Sequence, residues 1–124
     1  APSLQNRMNI LWTYGVCQGK ISRQRFVDLA CTMPARINGL EGKGHIGVGY
    51  DGDIVLFDPS YEGIISVENN LEDVDFCPFE GFIQKGRADT VLLRGQVIVK
   101  NGQYVGQKGQ GKLIAGKPYG DSYK

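Results

Sequence analysis

Residues 47–59 read GVGYDGDIVLFDP, and this stretch decides between two folds. Its glycines, Gly47, Gly49 and Gly52, have the G-x-G-x-x-G spacing of a dinucleotide-binding turn. Such a turn needs a helix directly after the glycines, because the helix N-terminus supplies the amides and the dipole that hold a pyrophosphate. Here an apolar run and Pro59 follow instead. The stretch therefore predicts turns that lead into a buried interior strand closed by the proline, and it argues against a nucleotide site.

The sequence before this stretch has a helical pattern. Apolar residues recur on one face over residues 4–19, and a second helix is expected to begin after Ser22 as its N-cap. A short third helix is predicted through residues 34–40, where Asn38 and Gly39 are typical stop residues. The first forty residues are therefore expected to be helical.

The sequence after residue 42 has the pattern of strands and tight turns. Residues 64–67, IISV, are a candidate short strand, and residues 89–105 predict a meander with turns at Arg94-Gly95 and Asn101-Gly102. Residues 106–124 show little periodicity and are expected to be extended or disordered.

The composition excludes several classes of function. The 124 residues suffice for one domain, and a net charge of +1 provides no general field for nucleic acid or anionic lipid. No apolar run approaches the ~20 residues of a membrane span, and the opening residues do not resemble a signal peptide. Three cysteines without C-x-x-C spacing favour a reducing, cytoplasmic location.

Candidate chemical residues are few. His45 is the single histidine and is expected in a turn, so it is a poor metal ligand. Cys17 and Cys31 fall in helical runs and are expected to be small core residues, whereas Cys77 precedes a proline in a loop and is expected to be more exposed. None of the three has a nearby base in sequence that would favour a nucleophile.

Four acidic residues could be mistaken for catalytic ones. Asp51, Asp53 and Asp58 flank the strand predicted around residue 55, where aspartates are usually turn and capping residues. Glu80 lies in PFEG, residues 78–81, and is expected to pin a structural corner.

Three stretches in order resemble one family. Residues 42–59, GKGHIGVGYDGDIVLFDP, resemble the G-x-I-x-x-G-x-D-A-D-I-V-x-x-D-P segment of the amidohydrolase superfamily. Residues 6–40 resemble the helices after the last barrel strand of hydantoinases and dihydropyrimidinases. Residues 73–106, with PFEG, resemble the ending of the same enzymes. Gln5 and Asn6 depart from the pattern, because the family commonly has acidic residues there.

The resemblance implies an α+β fold: C-terminal helices that follow a TIM-like barrel, part of a small β-sandwich, and an extended C-terminal tail. Residues 1–41 would be the helices that close the barrel, residues 42–106 half of the sandwich, and residues 107–124 the tail. A barrel of about 250 residues cannot fit in this chain. The missing N-terminal part of the same protein would supply the barrel and the other sandwich strands.

The resemblance also implies the function. Hydantoinases and dihydropyrimidinases open cyclic amides with two divalent metal ions, zinc being the expected metal, held by histidines, an aspartate and a carboxylated lysine. Such ligands would lie upstream of Ala1, as would the catalytic aspartate. No catalytic, cofactor-binding or metal-binding residue is therefore expected in this chain, which should be inert alone. Arg7 is the residue closest to the expected active site and is a candidate for shaping the substrate loop, with a structural ion pair as the alternative.

Other interpretations remain open. The parent could be a non-catalytic dihydropyrimidinase-like protein, or the chain could be a free-standing α+β binding module. Under each interpretation no nucleic-acid or membrane partner is expected. In the resembling enzymes the tail reaches neighbouring subunits, so a homo-oligomer through sandwich and tail is expected. A lysine-rich tail could instead contact nucleic acid, but it lacks Arg-Gly repeats. Its charged residues are Lys108, Lys112, Lys117, Asp121 and Lys124.

Overall fold

The computed structural model describes residues 2–118, which form helices in the first third of the chain and strands after it. The helices are α1 (Arg7–Leu11), α2 (Arg23–Val27) and α3 (Met33–Ile37), with π-helical turns at Trp12–Val16 and Asp28–Thr32 and a 3₁₀ turn at Val67–Asn69. The strands are β1 (Ile54–Ile64), β2 (Ile83–Leu93), β3 (Gln96–Lys100) and β4 (Gln103–Tyr104). The α+β class expected from the sequence is confirmed.

The helical predictions are confirmed with one correction. The Ser22 hydroxyl accepts a hydrogen bond from the N–H of Arg25 at 3.1 Å, as an N-cap does. Gly39 follows α3 with a φ of 61°, the left-handed conformation that ends a helix. The third helix is not separate, however. Helix α3 follows the preceding π-helical turn without a break, although Pro34, a residue that favours a helix start, lies in its first turn.

Strand β1 differs from its prediction in two ways. It lies at the end of the sheet order β1-β2-β3-β4, and Val55 and Leu56 are 38% and 56% exposed, so it is not an interior strand in the described chain. It also continues through Pro59 to Ile64, because an edge strand tolerates a residue without an N–H. The separate strand predicted at residues 64–67 is wrong as well, since Ile64 ends β1 and Val67 begins the 3₁₀ turn.

The meander is confirmed. Strands β2 and β3 are antiparallel, as are β3 and β4. Arg94 and Asn101 have φ angles of 47° and 53°, and the glycine after each also has a positive φ. Two consecutive left-handed residues match the right-handed twist of paired strands, so these two-residue turns set the register of the hairpins.

The described chain divides into two compact units. The first contains the chain up to Phe26 together with Phe57–Arg87, and the second contains Val27–Leu56 together with the chain from Ala88 onward. Each unit therefore draws on both the helical and the strand-forming parts of the sequence. Within residues 2–118, every helix falls short of the length and hydrophobicity that a membrane crossing requires.

The core of the first unit is a cluster of three aromatic rings. Trp12 and Phe26 are 8% and 5% exposed, and the Trp12 ring centroid lies 5.3 Å from that of Phe26 and 4.9 Å from that of Phe57. Gly86 lies against this cluster with a φ of 74°. A Cβ at Gly86 would lie 2.5 Å from Phe57 Cε1, so only glycine fits there.

The second unit holds the described part of the tail. Residues 105–118 contain no helix or strand, in agreement with the lack of periodicity. The N–H of Lys117 donates to the Gly39 carbonyl at 2.9 Å, and the Lys117 ammonium pairs with Glu41. A Cβ at Gly39 would lie 1.9 Å from the Lys117 carbonyl oxygen, so the tail contacts the end of α3 closely. Asp121 and Lys124 lie outside the described residues.

Candidate functional site

Arg7, the residue that the sequence placed nearest to a substrate, is the first residue of α1 and is exposed to solvent. The residue before it is deeply buried. Asn6 is 2% exposed, and its side-chain nitrogen donates to Asn70 Oδ1 at 3.3 Å and lies 3.7 Å from Cys77 Sγ. The chain is therefore anchored directly before the candidate residue.

Gln5 uses both ends of its side-chain amide. Its Oε1 accepts the N–H of Leu71 at 2.6 Å, and its Nε2 donates to the Asn69 carbonyl at 3.1 Å. The Glu72 carboxylate adds to the same contact, because its Oε1 accepts the N–H of Leu4 at 2.9 Å. We call these contacts, between residues 4–6 and the loop of residues 69–77, the N-terminal clamp. The only sequence signal for it was that Gln5 and Asn6 replace acidic residues.

The cysteine predictions are wrong. Cys77 is 8% exposed, because its thiol packs against the buried Asn6 amide in the clamp. Cys17 is exposed, since it follows the helical turn that ends at Val16, and Cys31 is only half-buried. Helical periodicity predicts which residues share a face of a helix, but it does not predict where the helix ends or which of its residues the core covers.

Glu80 has the structural role expected of it. Its Oε2 accepts the N–H of Val67 at 2.7 Å, where the 3₁₀ turn begins. The carboxylate thus caps an otherwise unsatisfied amide at the corner between β1 and β2.

An open pocket of about 610 Å³ lies within the second unit, between α3 and residues 42–52, the glycine-rich loop. The Thr32 hydroxyl donates to the Gly44 carbonyl at 3.0 Å and ties the loop to the helix. A Cβ at Gly44 would lie 2.5 Å from the Cβ of Ala35, so this approach requires glycine. His45 is exposed at the pocket, and its ring centroid lies 5.2 Å from that of Tyr50. The histidine is therefore in a turn, as the sequence predicted.

Lys43 forms ion pairs with two aspartates in and beside the glycine-rich loop. Its ammonium lies 2.7 Å from Asp51 Oδ2 and also pairs with Asp53, while its side chain is only 11% exposed. Burial alone would lower the pKa of Lys43, but the hydrogen bonds to Asp51 and Asp53 outweigh it and raise the pKa above its ordinary value. The ammonium is therefore held charged and is a poor general base.

Asp53 joins this loop to the β2–β3 turn. Its Oδ1 accepts the N–H of Arg94 at 2.8 Å. Burial alone would raise the pKa of Asp53, but the hydrogen bonds from Lys43 and from the Arg94 amide lower it below the ordinary value. The prediction that Asp53 is a turn residue is confirmed.

Asp58 likewise serves the backbone. Its Oδ1 accepts the hydroxyl of Ser60 at 2.6 Å and the N–H of Ser60 at 2.9 Å, and these hydrogen bonds lower the pKa of Asp58. The expectation that Asp58 flanks the strand is wrong, because β1 continues past it to Ile64, but its carboxylate does bond the backbone two residues on, as aspartates in turns do. Neither Asp58 nor Asp53 has the raised pKa that a general acid needs.

The described residues do not fit a bound metal pair. Among residues 2–118, no three His, Cys, Asp or Glu side chains lie close enough together to hold an ion. The carboxylates of Asp51 and Asp53, which lie close to one cation, are both paired with the Lys43 ammonium.

Comparison with known proteins identifies the family. The model of the amidohydrolase family matches residues 5–98. The D-hydantoinase of Geobacillus stearothermophilus is 41% identical over 120 residues, which cover 96% of this chain and 26% of that protein. The chain belongs to the amidohydrolase family.

Comparison with solved structures finds enzymes of the same kind. A D-hydantoinase (dihydropyrimidinase) from a Thermus species superimposes with a TM-score of 0.90 at 45% identity, over 95% of this chain and 26% of that one. A dihydropyrimidinase from Brevibacillus agri does so with a TM-score of 0.78 at 48% identity, over 82% of this chain and 22% of that one. The resemblance to hydantoinases and dihydropyrimidinases is thus confirmed. The chain spans about a quarter of the length of these relatives.

Proposed function

We propose that this chain is the C-terminal part of a metal-dependent cyclic-amide hydrolase that opens hydantoin or dihydropyrimidine rings. The observation that carries the proposal is the match itself: 95% of the chain aligns with a D-hydantoinase (dihydropyrimidinase) structure of which it covers 26%. The remaining three quarters of such a protein would hold the catalytic barrel, including a catalytic aspartate and two divalent metal ions with a carboxylated lysine.

Within that enzyme this part has a structural and assembly role. The polar groups of the described residues support it, because Asp53, Asp58 and Glu80 hold backbone amides and Lys43 is neutralised by two carboxylates. Carboxylates that are hydrogen-bonded to backbone amides, and an ammonium that is paired with two carboxylates, are poor donors and acceptors of protons in a reaction. The chain alone is therefore catalytically inert.

We divide its contribution among three segments. Residues 1–41 are the helices that close the barrel, residues 42–106 contribute half of the β-sandwich, and residues 107–124 form the tail. The exposed Val55 and Leu56 at the edge strand β1 support this division, since an apolar edge strand needs a partner strand. The rest of the same protein would supply that partner.

Ring opening by the parent protein tests the proposal. We expect the metal-loaded parent to hydrolyse hydantoin or dihydrouracil, and we expect activity to disappear on chelation and to return with zinc. A folded parent without turnover would instead favour the non-catalytic dihydropyrimidinase-like alternative.

A further inference from the structure

Two asparagines of the second unit are each followed by a glycine: Asn38-Gly39 at the end of α3, and Asn101-Gly102 between β3 and β4. In such a pair the backbone nitrogen of the glycine can attack the side-chain carbonyl carbon of the asparagine, since glycine has no side chain that obstructs the approach. The attack needs a free asparagine side chain and a glycine N–H that can leave its hydrogen bond and lose its proton. The two pairs differ in how far the fold permits this.

The pair Asn38-Gly39 is held on every side. The Asn38 side-chain nitrogen donates to the Pro34 carbonyl at 2.8 Å. The N–H of Gly39 donates to the Arg36 carbonyl at 3.0 Å, and the Gly39 carbonyl accepts the N–H of Lys117 at 2.9 Å. Gly39 is also buried, with the Lys117 backbone directly against it. Attack at this pair therefore requires the helix end and the tail contact to open together.

The pair Asn101-Gly102 is open by comparison. Both residues are exposed, and the Asn101 side chain makes no hydrogen bond within residues 2–118. The N–H of Gly102 donates to the Asp89 carbonyl at 2.9 Å, and this bond must break before the attack. The hairpin lies at the edge of the sheet, and its second strand consists of the exposed residues Gln103–Tyr104 alone. So short a strand opens locally at small cost.

We propose that Asn101 is a site of spontaneous deamidation, with water as the co-reactant. Hydroxide removes the proton from the Gly102 nitrogen, and that nitrogen forms a bond to Asn101 Cγ. The bond between Cγ and Nδ2 breaks, and Nδ2 takes a proton from water and leaves as ammonia. Water then opens the resulting succinimide ring at either carbonyl, which gives aspartate or isoaspartate. The reaction needs only this hairpin and water, so it does not depend on the proposed function.

The two products affect the hairpin differently. Aspartate before glycine fits a two-residue turn as well as asparagine does. Isoaspartate instead carries the main chain through its side-chain carbons, which adds one carbon to a turn whose length sets the register of β3 and β4. The pairing of Val99 with Tyr104 would be displaced, and with it the hydrogen bond from the N–H of Val105 to the Ile98 carbonyl. Isoaspartate therefore loosens the strand from which the tail begins.

Ageing of the full-length protein at mildly alkaline pH tests the proposal, with peptide mapping by mass spectrometry before and after. We expect Asn101 to convert at least about tenfold faster than Asn38, because each additional hydrogen bond on Asn38-Gly39 slows the attack by about fivefold. In denaturant, where the fold no longer distinguishes the pairs, both should convert at similar rates. Conversion of Asn38 as fast as Asn101 in the folded protein would overturn the proposal, as would an Asn101 that converts only in denaturant.

Hydrogen exchange tests the effect on the hairpin. We expect the N–H of Val105 to exchange at least about tenfold faster in the isoaspartate form than in fresh protein. Freshly prepared Asn101→Asp is the matched control, because it adds the same charge without the extra main-chain carbon, and it should keep the protection of Val105. Equal protection in all three samples would overturn the loosening of β4, and a loss in Asn101→Asp would assign it to charge instead.

Discussion

At the scale of single residues, the structure depends on a few positions where backbone conformation and space are both restricted. Gly86 and Gly44 both have a positive φ. A Cβ at Gly86 would collide with Phe57 and Trp12, and a Cβ at Gly44 would collide with Ala35. The sequence could not reveal these positions, because a glycine that fills a crowded site looks the same as a glycine in an open turn. Gly81, for example, has a φ of 78° but no atom within 4 Å of its expected Cβ.

Gly86→Ala should destabilise the protein by about 2–4 kcal/mol, since it adds a clash with the aromatic cluster to the strain of a positive φ. Gly81→Ala is the matched control and should cost only about 1 kcal/mol, because it brings the strain without the clash. Denaturant unfolding of both variants measures the difference. An equal loss of unfolding free energy in the two variants would show that the Phe57 ring moves aside at no cost and would contradict the prediction.

Lys43 and Asp53 make stability depend on pH. The pKa of Asp53 is lowered by folding, so its contribution is present above its unfolded value of about 3.9 and is lost as the pH falls through the folded pKa. The pKa of Lys43 is raised, so its contribution is present below about 10.4 and is lost as the pH rises through the folded pKa. The ion pair therefore stabilises the fold between these two limits.

Asp53→Asn should lower the free energy of unfolding by about 1 kcal/mol at neutral pH, and the difference from wild type should shrink as the pH falls through the folded pKa of Asp53. Asp75→Asn makes the same change of charge at an exposed loop position and controls for net charge. Unfolding free energies at pH 3 and pH 7 give the comparison. A loss that is independent of pH would show that the carboxylate charge contributes nothing.

At the scale of elements, local signals predicted most of the secondary structure. The Ser22 cap, the Gly39 stop and the Asn101-Gly102 hairpin turn act within a few residues, so the sequence carries them directly. The errors come from tertiary context. Strand β1 was expected in the interior from its apolar residues, yet it is an edge strand of the described sheet and Leu56 is exposed, because the place of a strand in a sheet is set by partners far along the chain. The N-terminal clamp joins residues more than sixty positions apart. Hydrophobic periodicity describes neighbouring residues only, so it cannot predict such contacts.

The tail is the element with the most direct consequence for assembly. We propose that residues 107–124 contact a neighbouring subunit of the parent oligomer. Truncation after Gly106 should therefore reduce the oligomer mass in light scattering. An unchanged oligomer after this truncation would contradict a role of the tail in assembly.

At the scale of the whole molecule, the family match and the chemistry of the described residues lead to one account. The chain belongs to the amidohydrolase family and covers 26% of the length of a D-hydantoinase. Its own charged groups stabilise turns, caps and the N-terminal clamp. The sequence motifs sufficed to predict the family, because the turns and strand ends that carry them are formed by neighbouring residues. The site itself could not be predicted residue by residue, since the proposed reaction takes place in the part of the protein that precedes this chain.

The most direct test compares the chain of residues 1–124 with the full-length parent, both loaded with zinc, in the hydrolysis of hydantoin and dihydrouracil. The account predicts that the parent opens at least one of these rings at an enzymic rate and that the isolated chain stays at the uncatalysed rate. Ring opening by the isolated chain at an enzymic rate would contradict it.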